Sequence, residues 1–414
     1  MVAENARGIK PLQPGDADVV AVQVRDQQVA GAFGIGFLKL AVDGLALGRI
    51  FGGAALFQQF VDLGVGIGHR VVAGSGDEIL VDAVRVEFGG EPGALTTEQM
   101  VNALEKLGFV VYDCNSSADQ TIIEEGTEFV KKIQYWILGE RGPEVDEQGK
   151  HPFPHFTSCC PAWVKNAETY HADMLPHLST AKSPLQMGGT LAKTWAAKYV
   201  LKCDPRKIYF VSVTPCTAKI FEASRPEMNT AWRYLIANKD IPKDTPSFQD
   251  IDASLTARDI AELMRRKGIN PLLEPKTRER RPLEVYSGAG TIFGCSGGVM
   301  EAALRTAYFA LSGEDLKDGN ITVVRGNDNA IVEATIPVPI KALGGKTFEV
   351  RVCVVNGANQ GLKEVLNRVR VDKNRYHFIE VMNCPGGCVN GGGQPVQPSG
   401  TAWLHPTTPL PLRI

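Results

Sequence analysis

The sequence predicts an α/β fold with largely parallel sheets, and three observations carry that prediction. From about residue 79 onward, strand-like apolar runs alternate with amphipathic helical stretches, the pattern of successive β–α–β units. Residues 208–213, IYFVSV, are apolar without alternation, as a parallel strand covered on both faces must be. Two apolar runs then stop in loops containing cysteine or glycine, at the strand ends where α/β proteins place ligands.

Residues 1–78 stand apart as an N-terminal extension. They are rich in Gly, Ala and Val and contain no cysteine. Residues 18–24 fit a strand, and 38–61 fit a helix weakened by Gly44, Gly48, Gly52 and Gly53. Val84-Arg85-Val86 reads as a short strand. Thr96 and Gln99 form a capping-box pattern before a helix over 98–107, which Gly108 ends. A strand at 109–112 follows, then a helix over 118–137 with Ile122, Phe129, Val130 and Ile133 on one face. Glu124, Glu125 and Glu128 lie on that helix, where acidic side chains ordinarily face water. Pro161 opens the next helix at its first position, where a missing N–H costs nothing. Residues 178–184 form a polar turn into another helix, and the strand at 208–213 delivers Thr214-Pro215-Cys216-Thr217-Ala218-Lys219.

A strand or turn at 251–256 leads into a capped helix over 257–267, and 268–283 reads as a surface connection. Residues 287–298 form a glycine-rich loop before a helix at 299–311. Such a loop can cradle a phosphate, but its spacing fits neither the dinucleotide nor the P-loop pattern. A strand at 347–355 and a helix at 361–369 precede the last strand, 376–382. That strand breaks into Cys384, Gly386, Gly387, Cys388, Gly391, Gly392 and Gly393. The chain after Pro395 is proline-rich and irregular.

Composition narrows the function classes. With 44% hydrophobic and 22% charged residues the chain has the make-up of a globular protein. A formal net charge of −2 gives no basic surface for nucleic acid. No apolar run reaches membrane-spanning length and no secretory signal is visible, so a cytoplasmic location is favoured. Nine scattered cysteines make a poor disulfide framework and a better metal or redox set. Two thiolates at a C-x3-C spacing, Cys384 and Cys388, can share one metal or two irons of one cluster; the bland alternative is a pair of free buried cysteines. In the vicinal pair Cys159-Cys160, one ligand beside one free thiol is the natural division. A lysine beside a thiolate loop, as Lys219 is, can pair with an anionic ligand where water is excluded.

Three cysteine loops thus stand together: TSCCPAW at 157–163, TPCTAK at 214–219, and the loop at 382–395. With TIIEEGTEF at 121–129, SGAGTIFG at 287–294 and GGVMEAALR at 297–305, the set resembles the catalytic domain of the iron–iron (FeFe) hydrogenases over roughly residues 79–400. The resemblance implies two lobes, each a mainly parallel sheet flanked by helices, with the metal cluster in the cleft between them. It implies an H-cluster, a 4Fe-4S cubane joined through a cysteine to a two-iron subcluster carrying CO, cyanide and azadithiolate. By position, Cys160, Cys216, Cys384 and Cys388 are implied as cubane ligands, with Cys388 shared. Cys159 is implied as the proton-passing thiol, with Ser179, Glu125 and Glu128 continuing the relay. Lys219 is implied as a cyanide partner, and Phe156, Pro184, Thr214, Phe293 and Met382 as pocket lining.

Departures from the family pattern are visible. Thr214 stands where a methionine is usual, and Asn383 where a small residue is frequent. If Val84-Arg85-Val86 is the first strand, Val81-Asp82 replaces an alanine–proline pair near a cyanide, which an aspartate would repel. Without ferredoxin-like cysteine runs before Cys114, electrons are expected from a ferredoxin or similar carrier directly, or through another subunit. Residues 401–414 read as an irregular tail, and the ending resembles the large subunit of two-subunit forms, with a separate small subunit. Cluster maturation proteins are implied partners. Three other functions compete: a hydrogen sensor of the same family, a non-catalytic iron–sulfur scaffold of the same fold, and a structural zinc protein, for which tighter C-x2-C pairs are expected.

Overall fold

A computed structural model of the protein describes residues 70–74, 78–91, 93–278, 285–317, 324–325, 329–358 and 360–395. The strand expected at 18–24, the helix at 38–61 and the tail after 395 lie outside the described residues. The strands are β1 (Arg70–Gly74), β2 (Val110–Asp113), β3 (His155–Phe156), β4 (Tyr209–Thr214), β5 (Ala253–Thr256), β6 (Ile331–Ile340), β7 (Lys346–Asn356) and β8 (Phe378–Met382). The main helices are α1 (Glu78–Glu87), α2 (Thr97–Lys106), α3 (Cys114–Ile133), α4 (Pro161–Tyr170), α5 (Ala257–Arg266), α6 (Gly298–Ser312) and α7 (Gln360–Val371).

The chain divides into two units. The first takes the chain up to Ser116, Leu185–Thr214 and Lys219–Val285. Its sheet has the order β2-β1-β4-β5, every pair parallel. The apolar run read as IYFVSV is β4, and Phe210, Val211 and Val213 are fully buried, as an inner parallel strand requires. Capping boxes start two of the helices: Thr96 with Gln99 for α2, and Thr256 with Asp259 for α5. Their inner faces, including Met100, Leu104, Ile260 and Met264, close one apolar core with α1.

Two expectations fail here. Val84-Arg85-Val86 is not a strand but the last turns of α1. Leu80, Val81 and Val84 are buried at helical spacing, and Arg85 is drawn in by Asp82 (Nε to Oδ1, 2.6 Å) and by the Gly90 carbonyl (2.6 Å). The alternation that mimicked a strand comes from an ion-paired arginine on a helix. The alignment that set Val81-Asp82 ahead of a first strand therefore does not hold. The first strand among the described residues is β1, which lies ahead of residue 79 and pairs with both β2 and β4.

The second unit takes Ser117–Pro184, Pro215–Ala218 and the chain from Tyr286. Its sheet has the order β3-β8-β7-β6. β3, β8 and β7 run parallel, and β6 joins as an antiparallel edge through a hairpin that the sequence reading missed. α6 and the buried end of α3 pack on one apolar group with Phe378, while α4 and α7 pack on another through Trp163, Leu362 and Val365. α3 continues as one π-helical turn, Gln134–Leu138, ended by Gly139 in a left-handed conformation (φ 71°). No helix among the described residues is long and apolar enough to cross a membrane.

Candidate metal centre

The cysteine loops of the second unit are built by backbone packing. β3 ends at Phe156, its neighbour Thr157 accepts from the Trp163 indole (3.1 Å), and Pro161 starts α4 directly after Cys160. The loop after β8 turns on Gly386 (φ 82°) and Gly387 (φ 102°), which only glycine adopts without strain. Gly386 N–H donates to Asn356 Oδ1 (2.6 Å), and its carbonyl accepts from Ser296 N–H (3.0 Å). Gly393 N–H donates to the Pro215 carbonyl (2.8 Å), which ties this loop to the one carrying Cys216. A Cβ at Gly387 would strike the 294–296 backbone, and one at Gly391 would strike Pro215.

This packing brings Cys160, Cys216 and Cys384 together. Burial first, and then the nearby Cys216 and Cys160, push the Cys384 thiol up. Cys388 follows on a short 3-10 turn, Cys388–Asn390, and packs against the apolar group that holds Cys159. None of the four takes part in a disulfide. Among the described residues no three His, Cys, Asp or Glu side chains converge closely enough for a single metal ion. Thiolates on one zinc would lie ~3.8 Å apart, from a bond of ~2.3 Å in a tetrahedron. Thiols that feel one another's charge at wider spacing suit the larger body of an iron–sulfur cluster. The donor set and its glycine-lined loops fit such a group.

Cys159 is buried among Ile122, Phe293, Val299 and Met382. One residue before it, the Ser158 N–H donates to Glu125 Oε1 (3.3 Å), while Glu125 Oε2 has no hydrogen-bond partner. Burial, then the charge of Glu128, pushes the Glu125 carboxyl up to about 8; the Ser158 amide and the Ser179 hydroxyl oppose this only in part. Glu128 accepts from Ser179 Oγ (2.7 Å), from Thr180 N–H (3.1 Å) and from the Thr180 hydroxyl. The expectation that these helical acids face water fails: Glu125 is fully buried and Glu128 is buried beside it. Glu124 is partly exposed, and burial ahead of the Glu128 charge raises it to about 8.

The other expected residues are dispersed. Phe293 and Met382 pack with Cys159, but Phe156 lies in the apolar group of Trp163, their rings 5.4 Å apart. Pro184 is buried at the start of a helix, Pro184–Leu191. In the first unit, Thr214 is the buried last residue of β4, paired in register with Thr256. Lys219, also there, donates to Glu222 Oε2 (3.0 Å).

The glycine-rich loop does not wait for a phosphate. Glu380 fills the N-terminus of α6, accepting from Gly297 (2.6 Å) and Met300 (2.7 Å). Asp119 fills that of the short helix Gly288–Ile292, accepting from Ser287 N–H (2.6 Å) and Gly290 N–H (2.7 Å). Protein carboxylates occupy both positive helix ends. Sequence reasoning missed Asp119, Glu380, Lys132 and His155. The signal for one was present, since Lys132 follows Glu125 and Glu128 at i+7 and i+4 on a single helix face.

Residues 79–392 match the family model "Iron only hydrogenase large subunit, C-terminal domain". The chain belongs to the FeFe hydrogenase large-subunit family. It is 42% identical over 322 residues to the periplasmic iron hydrogenase large subunit of Nitratidesulfovibrio vulgaris, covering 78% of this chain and 68% of that protein. It spans about half the length of two other curated hydrogenases that it matches, from Clostridium pasteurianum and Solidesulfovibrio fructosivorans. Among solved structures, one of an FeFe hydrogenase concerned with oxygen damage to the 2Fe subcluster superposes with a TM-score of 0.67 at 29% identity, over 83% of this chain and 85% of that one. The mixed α/β architecture with parallel-dominated sheets is therefore the hydrogenase one. Similarity also reaches "Cytosolic iron-sulfur assembly component 3" of Pongo abelii, 31% identical over 75% of this chain and 60% of that protein. Membership of this hydrogenase family implies an iron–sulfur H-cluster.

Proposed function

We propose that this chain catalyses the reversible reduction of protons to dihydrogen. The observation that carries the reading is the meeting of Cys160, Cys216 and Cys384 from three distant loops, with Cys159 and an under-satisfied Glu125 alongside. When bound, the H-cluster, a 4Fe-4S cubane with a two-iron subcluster carrying CO, cyanide and azadithiolate, supplies the electrons and the place where protons are reduced. Cys160, Cys216, Cys384 and Cys388 would hold the cubane, and Cys388 would also serve the two-iron part. Cys159 holds a proton at Sγ beside the cluster. Glu125 exchanges it with the Glu128–Ser179 pair, whose hydrogen bond is already formed at 2.7 Å. Lys219 would donate a hydrogen bond to a cyanide. Phe156, Pro184, Thr214, Phe293 and Met382 exclude water.

Residues 79–400 form the cluster domain on this reading, with 1–78 an N-terminal extension that lends β1 to its sheet and 401–414 a tail. Electrons come from a ferredoxin-type carrier or through a small subunit, and maturation proteins build the cluster. The relative named as periplasmic and those named as cytosolic leave either compartment open. A second reading, a non-catalytic iron–sulfur scaffold, is favoured by the similarity to the cytosolic assembly component.

The deciding experiment is infrared spectroscopy of anaerobic protein co-produced with maturation enzymes. Intrinsic carbonyl and cyanide stretches, with hydrogen evolution from the same sample, are the expected result. Cubane signals in paramagnetic resonance without those stretches would establish the scaffold instead.

A further inference from the structure

We propose that His155 is a positioning residue of the proton path. It holds the Lys132 ammonium inside the fold, on the helix face that carries Glu125 and Glu128, and through that charge sets how tightly Glu125 keeps its proton. The proposal rests on the relay reading above and adds a control behind it.

The geometry is a buried pair. Lys132 Nζ lies 2.8 Å from His155 Nδ1, and neither side chain is exposed beyond 1%. Only a deprotonated Nδ1 can accept from an ammonium, so the ring proton sits on Nε2. That nitrogen is buried without a hydrogen-bond partner. The ring packs on Phe129 (centroids 6.1 Å) and Phe378 (5.1 Å). A phenyl would fill the same space with no stranded N–H. What the imidazole adds, at that cost, is an acceptor for the ammonium.

The groups facing this pair are few. On α3 they are Glu125 and Glu128, whose charges favour protonated Lys132 against burial, the larger effect, which lowers it to about 8. On β3 there is His155, which burial first, and then Lys132 and His151, keep neutral well below its ordinary range. Lys132 also reaches His177, whose Nδ1 lies 3.2 Å from the Pro154 carbonyl and whose protonation burial chiefly opposes. Lys132 thus faces Glu125 and Glu128, and Glu125 also meets the charge of Glu380 from β8 and the Ser179 hydroxyl. Loss of its acceptor favours neutral Lys132, and loss of its charge makes Glu125 bind a proton more tightly.

The test is an infrared titration of the carboxyl band in the full-length protein, with the Glu125 band assigned from Glu125→Gln. In His155→Leu, Glu125 should keep its proton to a pH about one unit higher, roughly tenfold tighter binding. His155→Asn, which returns an oxygen acceptor near the Nδ1 position, should restore most of the wild-type titration. Lys132→Gln should give the same upward shift, with no further change when His155→Leu is added. A wild-type titration in His155→Leu would overturn the proposal, and so would a further shift from His155→Leu in the Lys132→Gln background. Should His155→Leu fail to fold, an unshifted Lys132→Gln overturns it alone. The readout needs no turnover. A shifted band without carbonyl and cyanide stretches removes the hydrogenase reading and keeps the positioning role; intact hydrogen evolution with an unshifted band does the reverse.

Discussion

Glu380 and Glu125 are both fully buried carboxyls of the second unit, and the fold treats them oppositely. Glu380 receives one N–H on each oxygen from the first turn of α6, and burial raises it only to about 7. Glu125 receives one long N–H bond, leaves its second oxygen bare, and is raised further, to about 8. A carboxylate that joins two elements is saturated with donors. One left under-satisfied, held by the backbone amide just before a buried cysteine, is suited to gaining and losing a proton.

Several substitutions can break that contrast. The largest expected effect is from Cys159→Ala, which should cut hydrogen evolution by about 100-fold or more while the cubane still assembles, checked by paramagnetic resonance. Wild-type rates in that variant would remove the thiol from the path. Glu125→Gln should cost about 100-fold in rate at little cost to folding, since no donor is stranded that a glutamine oxygen cannot accept from. Glu380→Gln should do the reverse. It places an amide donor against backbone N–H groups and should lower unfolding free energy by about 2 kcal/mol in denaturant titrations, with smaller loss of rate in folded protein. If Glu380→Gln proves rate-limiting at full stability, the distinction between the two acids fails.

A pH experiment sharpens it. Glu125 binds its proton more tightly folded than unfolded, so its contribution to stability is complete below the ordinary carboxylate range and is lost as pH rises through about 8. Glu125→Gln should remove that loss, so the variant's denaturation midpoint gains on wild type between about pH 5 and about pH 9. The smallest effect belongs to Asp119→Ala, which uncaps one short helix and should cost about 1 kcal/mol in the same denaturant titration.

The sequence showed what local chemistry decides. Thr96–Gln99, Pro161, the IYFVSV strand and the three cysteine loops all carry their signal within a few residues. β1 was hidden in a glycine- and valine-rich stretch with no clear period, and Val84-Arg85-Val86 mimicked a strand because its arginine is neutralised three residues away. The edge strand β6 carries Pro337 and Pro339, which read against a strand. Asp119 and Glu380 could not be read, since their partners lie 168 and 83 residues along the chain. The general expectation that helical acids face water failed at Glu125 for a related reason: its burial comes from chain that does not neighbour it in sequence.

The tie between Gly393 and Pro215, and the close approach of Gly391 to the same residue, place a consequence on synthesis. Cys160, Cys216 and the Cys384–Cys388 pair emerge from the ribosome far apart in time, Cys384 after 383 residues of nascent chain. On the reading proposed above, no chain that stops short of Cys388 holds a complete set of iron ligands. Cluster delivery then waits on the synthesis of that last loop, and a chain stopped before residue 384 lacks two of the four thiolates.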